Sequence, residues 1–257
     1  MLRALCAEMP RESFVYVGDS GHAPYGERDD AHIIRRAIAI TRYLIEQHNV
    51  KALVVACNTA TAAAIGLLRQ RFDTLPIIGI EPALKPASIA SKTHKVGVMA
   101  TTGTIGSEKF KGLLNSQPGS TEFVLQPCAG LATAIESNDC TRVDLLCERY
   151  IAALGSFGNG PGQIDSLVLG CTHYPFAVES LRRAAGPSVQ FFDGGIPVAA
   201  HTRHVLEKLG RLRNSDNAAS PSGAPIQFLC TGPTNLLQSA VKRWLDLDIT
   251  VTDLAHV

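Results

Sequence analysis

Residues Gln163–Phe176 read QIDSLVLGCTHYPF, and the reading of the 257-residue chain turns on this stretch. Ile164, Leu167, Val168 and Leu169 supply an apolar run that predicts a buried strand, and Gly170 breaks it. Cys171, Thr172 and His173 follow at once. Pro175 suits the first turn of a helix, where its missing N–H needs no partner. In an open α/β sheet, ligands bind just beyond the carboxyl ends of the strands. A thiol, a hydroxyl and an imidazole therefore stand where that architecture places its chemistry. Taken alone, Cys171 reads equally well as a buried, small apolar residue.

The same arrangement occurs earlier. Ala52–Ala56 predicts a strand that ends at Cys57-Asn58-Thr59, with a helix from Ala60 to Phe72 behind it. Around these two, short apolar strands alternate with helices. Phe14–Val17, Pro76–Ile80, Lys95–Ala100, Phe123–Leu125, Val189–Phe192 and Ile226–Cys230 read as strands. Helical spacing of apolar residues marks Leu2–Glu8, Asp30–His48, Val143–Leu154, Ile196–Leu209 and Asn235–Trp244. Arg211–Pro225, rich in Asn, Ser, Pro and Gly, reads as a surface excursion. Strand–helix alternation means right-handed βαβ units and parallel sheets covered on both faces. The expected fold is α/β, with two similar parallel-sheet lobes and the active site in the cleft between them. Residues 1–92 with 194–257 make the first lobe and 93–193 the second.

Composition narrows the function. Hydrophobic residues are 46% and charged residues 18%, with a formal net charge of +1 and no basic cluster. That argues against nucleic-acid and membrane-surface partners, which need a basic field. The seven cysteines include no CxxC pair and no framework spacing, which points to reduced thiols and a cytoplasmic setting. No stretch approaches a membrane span.

A cysteine just before a helix feels the positive end of the helix dipole, which lowers its pKa. One such cysteine suggests a nucleophile. Two in matching positions, Cys57 and Cys171, suggest two groups addressing one substrate from opposite sides. That suits inversion at a carbon: one thiolate removes a proton from one face, and the other thiol delivers one to the opposite face. A Cys171/His173 nucleophile attacking a carbonyl is the rival. A metal site is weaker, because Cys57, Cys171 and His173 lack paired-ligand spacing. No lysine in these loops is available for a pyridoxal Schiff base, and no Gly-rich phosphate fingerprint occurs, so no cofactor is expected.

The motifs PYG (Pro24–Gly26), ACNTA (Ala56–Ala60), ATTGT (Ala100–Thr104), PCAGLATAIE (Pro127–Glu136) and GCTHYPF (Gly170–Phe176) resemble glutamate racemase, of the aspartate/glutamate racemase superfamily. The likeness runs in order through nearly the whole chain. It implies cofactor-independent interconversion of L- and D-glutamate, with D-glutamate going into bacterial peptidoglycan. Aspartate or a related amino acid is the alternative substrate. The match implies Cys57 and Cys171 as the two acid/base residues, with His173 and Glu136 assisting Cys171. It implies Pro24, Tyr25, Gly26, Asn58, Thr59, Thr101, Thr104 and Thr172 as the residues that hold the substrate's carboxylates and ammonium. It also allows a homodimer and a cell-wall precursor as activator.

The plainer roles are a sheet-covering aromatic for Tyr25, helix caps for Thr101 and Thr104, and a solvated charge for Glu136. Asp19 and Ser20 read as loop residues, Asp193 as a turn former, and Cys6, Cys128, Cys140, Cys147 and Cys230 as structural. The chain departs from the resemblance at one place. The family opens with a strand and an FDSGxGG-type loop ahead of the helix that begins here near Leu2. Without that strand a neighbour is expected to lack its pairing partner, and the 257-residue form is expected to bind substrate with weak or no turnover.

Overall fold

The structure, a computed structural model, describes all residues except 118, 120, 214–224 and 255–256. The predicted excursion at Arg211–Pro225 falls largely outside the described residues. In chain order the described elements are α1 (Leu2–Glu8), β1 (Phe14–Gly18), α2 (Asp30–His48), β2 (Leu53–Val55), α3 (Asn58–Arg71), β3 (Ile77–Gly79) and α4 (Leu84–Ala90). Next come β4 (Lys95–Ala100), α5 (Thr102–Gly106), α6 (Glu108–Asn115), β5 (Glu122–Pro127), α7 (Leu131–Glu136), α8 (Cys140–Leu154) and β6 (Ser166–Gly170). The chain ends with α9 (Val178–Ala185), β7 (Gln190–Phe192), α10 (Gly195–Lys208), β8 (Ile226–Cys230), α11 (Thr234–Leu245) and β9 (Val251–Asp253). Tyr25–Glu27 and Tyr174–Ala177 are single 3-10 turns.

Every ladder between these strands is parallel. One sheet has the order β5-β4-β6-β7 and holds the strands between Lys95 and Phe192. Its centre is β6, where the quoted sequence lies and all five residues are buried. The two-residue period of a strand splits its side chains between two faces. Val96, Val98 and Val168 point toward Leu84 of α4 and Phe110 of α6. Met99, Leu167 and Leu169 point toward Leu131, Ile151 and Leu181 of α7, α8 and α9. Gly97 lets the sheet close, since a Cβ there would lie 2.8 Å from Leu167 Cδ1.

The other lobe is built differently. Its strands form two pieces, β1-β8-β9 and β2-β3, and among the described residues no ladder joins β1 to β2. Unlike β6, both β1 and β2 are only half-buried along their length. What joins the pieces is side-chain packing: Phe14 of β1 and Val54 of β2 both rest on the cluster that Leu5 and Met9 form with Ala199 and Leu206 of α10. The first strand series therefore lies in two sheets rather than one. β9 lies where the sequence predicts no strand, because Val251–Asp253 has only three residues and no alternation.

Both cysteines sit at strand ends, but their turns differ. Cys57 is itself the N-cap of α3, its Sγ accepting from Ala60 N at 3.4 Å. The helix therefore begins at Asn58, two residues before its predicted start at Ala60. After Cys171 the chain first makes the 3-10 turn that contains Pro175, and α9 starts only at Val178.

Candidate active site

The described strand ends bring most of the predicted residues to one seam between the lobes. Thr59 opens α3, while Thr101 caps α5 and Thr104 lies within it. Their hydroxyls form a closed triangle: Thr59 to Thr101 is 2.9 Å, Thr59 to Thr104 is 3.2 Å, and Thr101 to Thr104 is 2.9 Å. All three residues are buried. Thr101 also accepts from Thr104 N at 3.1 Å, so it caps its helix and bonds across the seam to Thr59 at once. A little further along, Thr172 donates to the carbonyl of Ala56 at 3.2 Å. The residue before one cysteine thus touches the residue after the other.

The Pro24-Tyr25-Gly26 loop crosses the same seam. A Cβ on Gly26 would lie 2.8 Å from Thr101 Cβ and 2.9 Å from its Cγ2. Only a glycine allows that approach. Asn58 is 5% exposed, and its side-chain oxygen has no hydrogen-bond partner among the described residues. A buried acceptor left unpaired is costly, and here it suits an ammonium group.

The sulfur at each end has its own surroundings. His173 Nδ1 lies 3.8 Å from Cys171 Sγ, and His173 Nε2 lies 3.7 Å from a Glu136 oxygen. Burial by itself would lower the pKa of His173. Its hydrogen bonds to Cys171 and Glu136 outweigh this and raise it to about 10. The same His173 contact holds the Glu136 carboxyl below its ordinary value, against the opposing effect of burial.

Cys57 corrects the expectation of a thiol acidified by its helix. Its pKa is pushed up to about 11, first by burial and then by the nearness of the Cys171 sulfur. The N–H of Ala60 acts in the expected direction but is outweighed. Desolvation of a thiolate costs more than one or two aimed backbone donors return.

Two residues beyond the expected set shape the site. Asp19, read from sequence as a loop residue, accepts from Arg36 Nε at 2.9 Å and Arg36 Nη2 at 2.7 Å, from the Thr231 hydroxyl at 2.7 Å, and from the Tyr25 hydroxyl. These bonds overcome its burial and hold its carboxyl below the ordinary value. The Tyr25 phenol is therefore engaged within the protein, and the loop meets the seam through its backbone at Gly26. The strand-end position of Asp19 was a usable signal. Arg36, on the helix face of α2, gave none. Ser20 and Cys230 also meet, at 2.8 Å.

Among the described residues there is no group of three or more His, Cys, Asp or Glu side chains able to hold a metal ion, and no helix long and apolar enough to cross a membrane.

Fold and site together define a class: two parallel α/β lobes, each carrying a cysteine at a strand end beside one seam. The model of the Asp/Glu/Hydantoin racemase family matches residues 1–205. The chain belongs to that family. It is 42% identical over 245 residues to the glutamate racemase of Ralstonia pickettii, covering 95% of this chain and 83% of that one. The solved structure of glutamate racemase isoform RacE1 from Bacillus anthracis superposes with a TM-score of 0.84 at 30% identity, over 98% of this chain and 91% of that one. Glutamate racemase from Francisella tularensis, solved in complex with D-glutamate, gives 0.81 at 25% identity, over 98% and 91%.

Proposed function

We propose that the chain interconverts L- and D-glutamate without a cofactor, by a two-base mechanism with Cys57 and Cys171 on opposite faces of the α-carbon. The observation that carries this is the pair of strand-end thiols whose flanking residues, Ala56 and Thr172, meet across the seam. The relatives' shared substrate favours glutamate over aspartate. In this reading the pieces β1-β8-β9 and β2-β3 move as one lobe and the sheet β5-β4-β6-β7 as the other. Helix α4 goes with the second, because Leu84 and Ala87 pack on β4 and β6, so the boundary falls before α4 rather than at residue 92.

The protonation states suit the chemistry. Cys57, with a pKa near 11, is a neutral thiol at pH 7, which is what a proton donor must be. On the other face His173 Nδ1, 3.8 Å from Cys171 Sγ, is placed to exchange a proton with it, and Glu136 faces the second ring nitrogen at 3.7 Å. The Cys171 thiolate then removes the α-proton, and the Cys57 thiol protonates the opposite face. The reverse direction exchanges the roles. Asn58 Oδ1 accepts from the substrate ammonium. The hydroxyls of Thr59, Thr101 and Thr104 exchange their mutual bonds, and that of Thr172 its bond to Ala56, for the carboxylates, with the backbone of the Pro24–Tyr25–Gly26 loop closing over them. Aimed donors in a site that excludes water stabilise the carbanionic transition state. D-glutamate so formed feeds peptidoglycan synthesis in the cytoplasm; a homodimer and a cell-wall precursor as activator belong to the same reading.

Incubation with L-glutamate in deuterium oxide tests it. The α-hydrogen exchanges and optical rotation decays, and Cys57→Ser loses both by a factor on the order of 100 or more. Turnover that survives Cys57→Ser while Cys171→Ser abolishes it identifies a Cys171/His173 nucleophile instead.

A further inference from the structure

Beyond the threonine seam, an aromatic contact joins the lobes at the turn after β6. Phe176 and Trp244 stack with centroids 4.4 Å apart and an interplanar angle of 29°. Phe176 lies in the 3-10 turn that follows Cys171 and His173, beyond the end of β6. Trp244 lies in the last turn of α11, the helix between β8 and β9 of the other lobe. The two residues are far apart in sequence and belong to different sheets.

Each ring is tied to the backbone that matters. The amide of Phe176 donates to the carbonyl of His173 at 3.0 Å, so the Phe176 ring and the His173 imidazole share one turn. On the other side, Arg3 of α1 donates to the carbonyl of Trp244, and the Arg243 guanidinium lies 5.8 Å from the Trp244 ring. The stack is not part of a core: Phe176 is 42% exposed. Leaving a phenylalanine at the surface in a fixed stack makes sense when its position, rather than its burial, is what counts.

We propose that Phe176 and Trp244 are a pair of positioning residues, a clasp that sets the distance of the Cys171–His173 turn from the lobe carrying Cys57. The inference rests on the two-base reading above, in which both sulfurs must reach one carbon together. Neither ring touches the reacting atoms. The threonine seam fastens the lobes at α3 and α5, and the stack fastens them at the turn after β6. With the stack lost, the turn after β6 gives up its tether to α11 and is held across the lobes by the Thr172 bond to Ala56. A stacked pair of this kind is worth a factor of roughly 2 to 10 in an equilibrium constant. Small misplacements of reacting groups are costly in rate.

The test is a double-mutant cycle on Phe176→Ala and Trp244→Ala, with Trp244→Phe as the conservative variant. Turnover is read as α-hydrogen exchange in deuterium oxide, and folding as the thermal midpoint. Each alanine variant is expected to lower kcat about 5- to 20-fold with KM changed less than about 3-fold, at a midpoint near that of the parent. The double variant is expected to fall no further than either single one, because both remove the same contact. Trp244→Phe, which preserves a stack, restores most of kcat. Losses that multiply in the double variant overturn the clasp, as does a Trp244→Phe variant as slow as Trp244→Ala. A parent chain that binds glutamate without racemising it defeats the two-base reading instead. The clasp is then judged by emission alone: Trp244 is the sole tryptophan, and Phe176→Ala must shift its spectrum to the red. An unchanged spectrum refutes the stack.

Discussion

Gly26→Ala is the sharpest perturbation the site offers. The added Cβ meets Thr101 Cβ at 2.8 Å, where ordinary contacts begin at 3.4 Å. About 0.6 Å must therefore be found between the loop and the opposite lobe. The neighbour is a capped, buried threonine rather than the end of a flexible chain, so it does not swing away. Displacing Thr101 by that amount in an unfavourable direction stretches its 2.9 Å bond to Thr59 to about 3.5 Å, outside hydrogen-bond geometry. Overpacking of this kind costs about 1–3 kcal/mol, and a misplacement approaching 1 Å lowers rate by up to about 100-fold. The strain lies across the seam, where the lobes yield by separating, and not in the core of either lobe. The expected outcome is a 10- to 100-fold loss in kcat/KM for glutamate with a thermal midpoint lowered by only a few degrees. Because the enantiomers are equal in energy, the loss must be the same in both directions, as polarimetry from L- and from D-glutamate will record. Thr101→Ser in the Gly26→Ala background removes the methyl at 2.9 Å and recovers part of the loss. A Gly26→Ala variant with parental kcat/KM refutes the close approach and the closure argument built on it.

Two further outcomes follow from the charges around the site. Asp19→Asn leaves the Arg36 guanidinium without its carboxylate in a place where the two side chains are 12% and 9% exposed, a loss of about 3–5 kcal/mol, whereas Tyr25→Phe removes one bond and costs about 1 kcal/mol; urea denaturation separates the two. The pKa of His173 is raised from 6.5 to about 10, so the stabilising contribution of its imidazolium is complete below 6.5 and disappears as pH climbs through 10. His173→Asn is therefore expected to lose less thermal stability than the parent between pH 6.5 and pH 10; an identical alkaline loss contradicts the raised pKa.

Much of the architecture could be read from local pattern. Helix α2 runs from Asp30 to His48 and β4 from Lys95 to Ala100, as their periodicity predicts. Both strand-end cysteines are found at strand ends, because an apolar run broken by a small residue before a helix is a short-range signal. Asp19 was underestimated for a definite reason. Its partners Arg36 and Thr231 lie 17 and 212 residues away, so nothing near Asp19-Ser20-Gly21 reveals a carboxylate with four donors. The Cys57 pKa was expected to fall because the helix is adjacent in sequence, and it rises because of packing that is not.

The sequence by itself determined the alternation of strands and helices, and with it the placing of a thiol, hydroxyls and an imidazole at the strand ends. Those properties depend on residues within one or two turns of each other. Only the tertiary structure decided which strands share a sheet: β4 lies between β5 and β6, while β1 pairs with β8 and not with β2. It also decided that Thr59 meets Thr101 and Thr104, that Gly26 lies against Thr101, and that Phe176 stacks on Trp244. Each of these couples segments from different lobes. Desolvation and close approach arise from atoms brought together by the whole fold, so no window of sequence contains them.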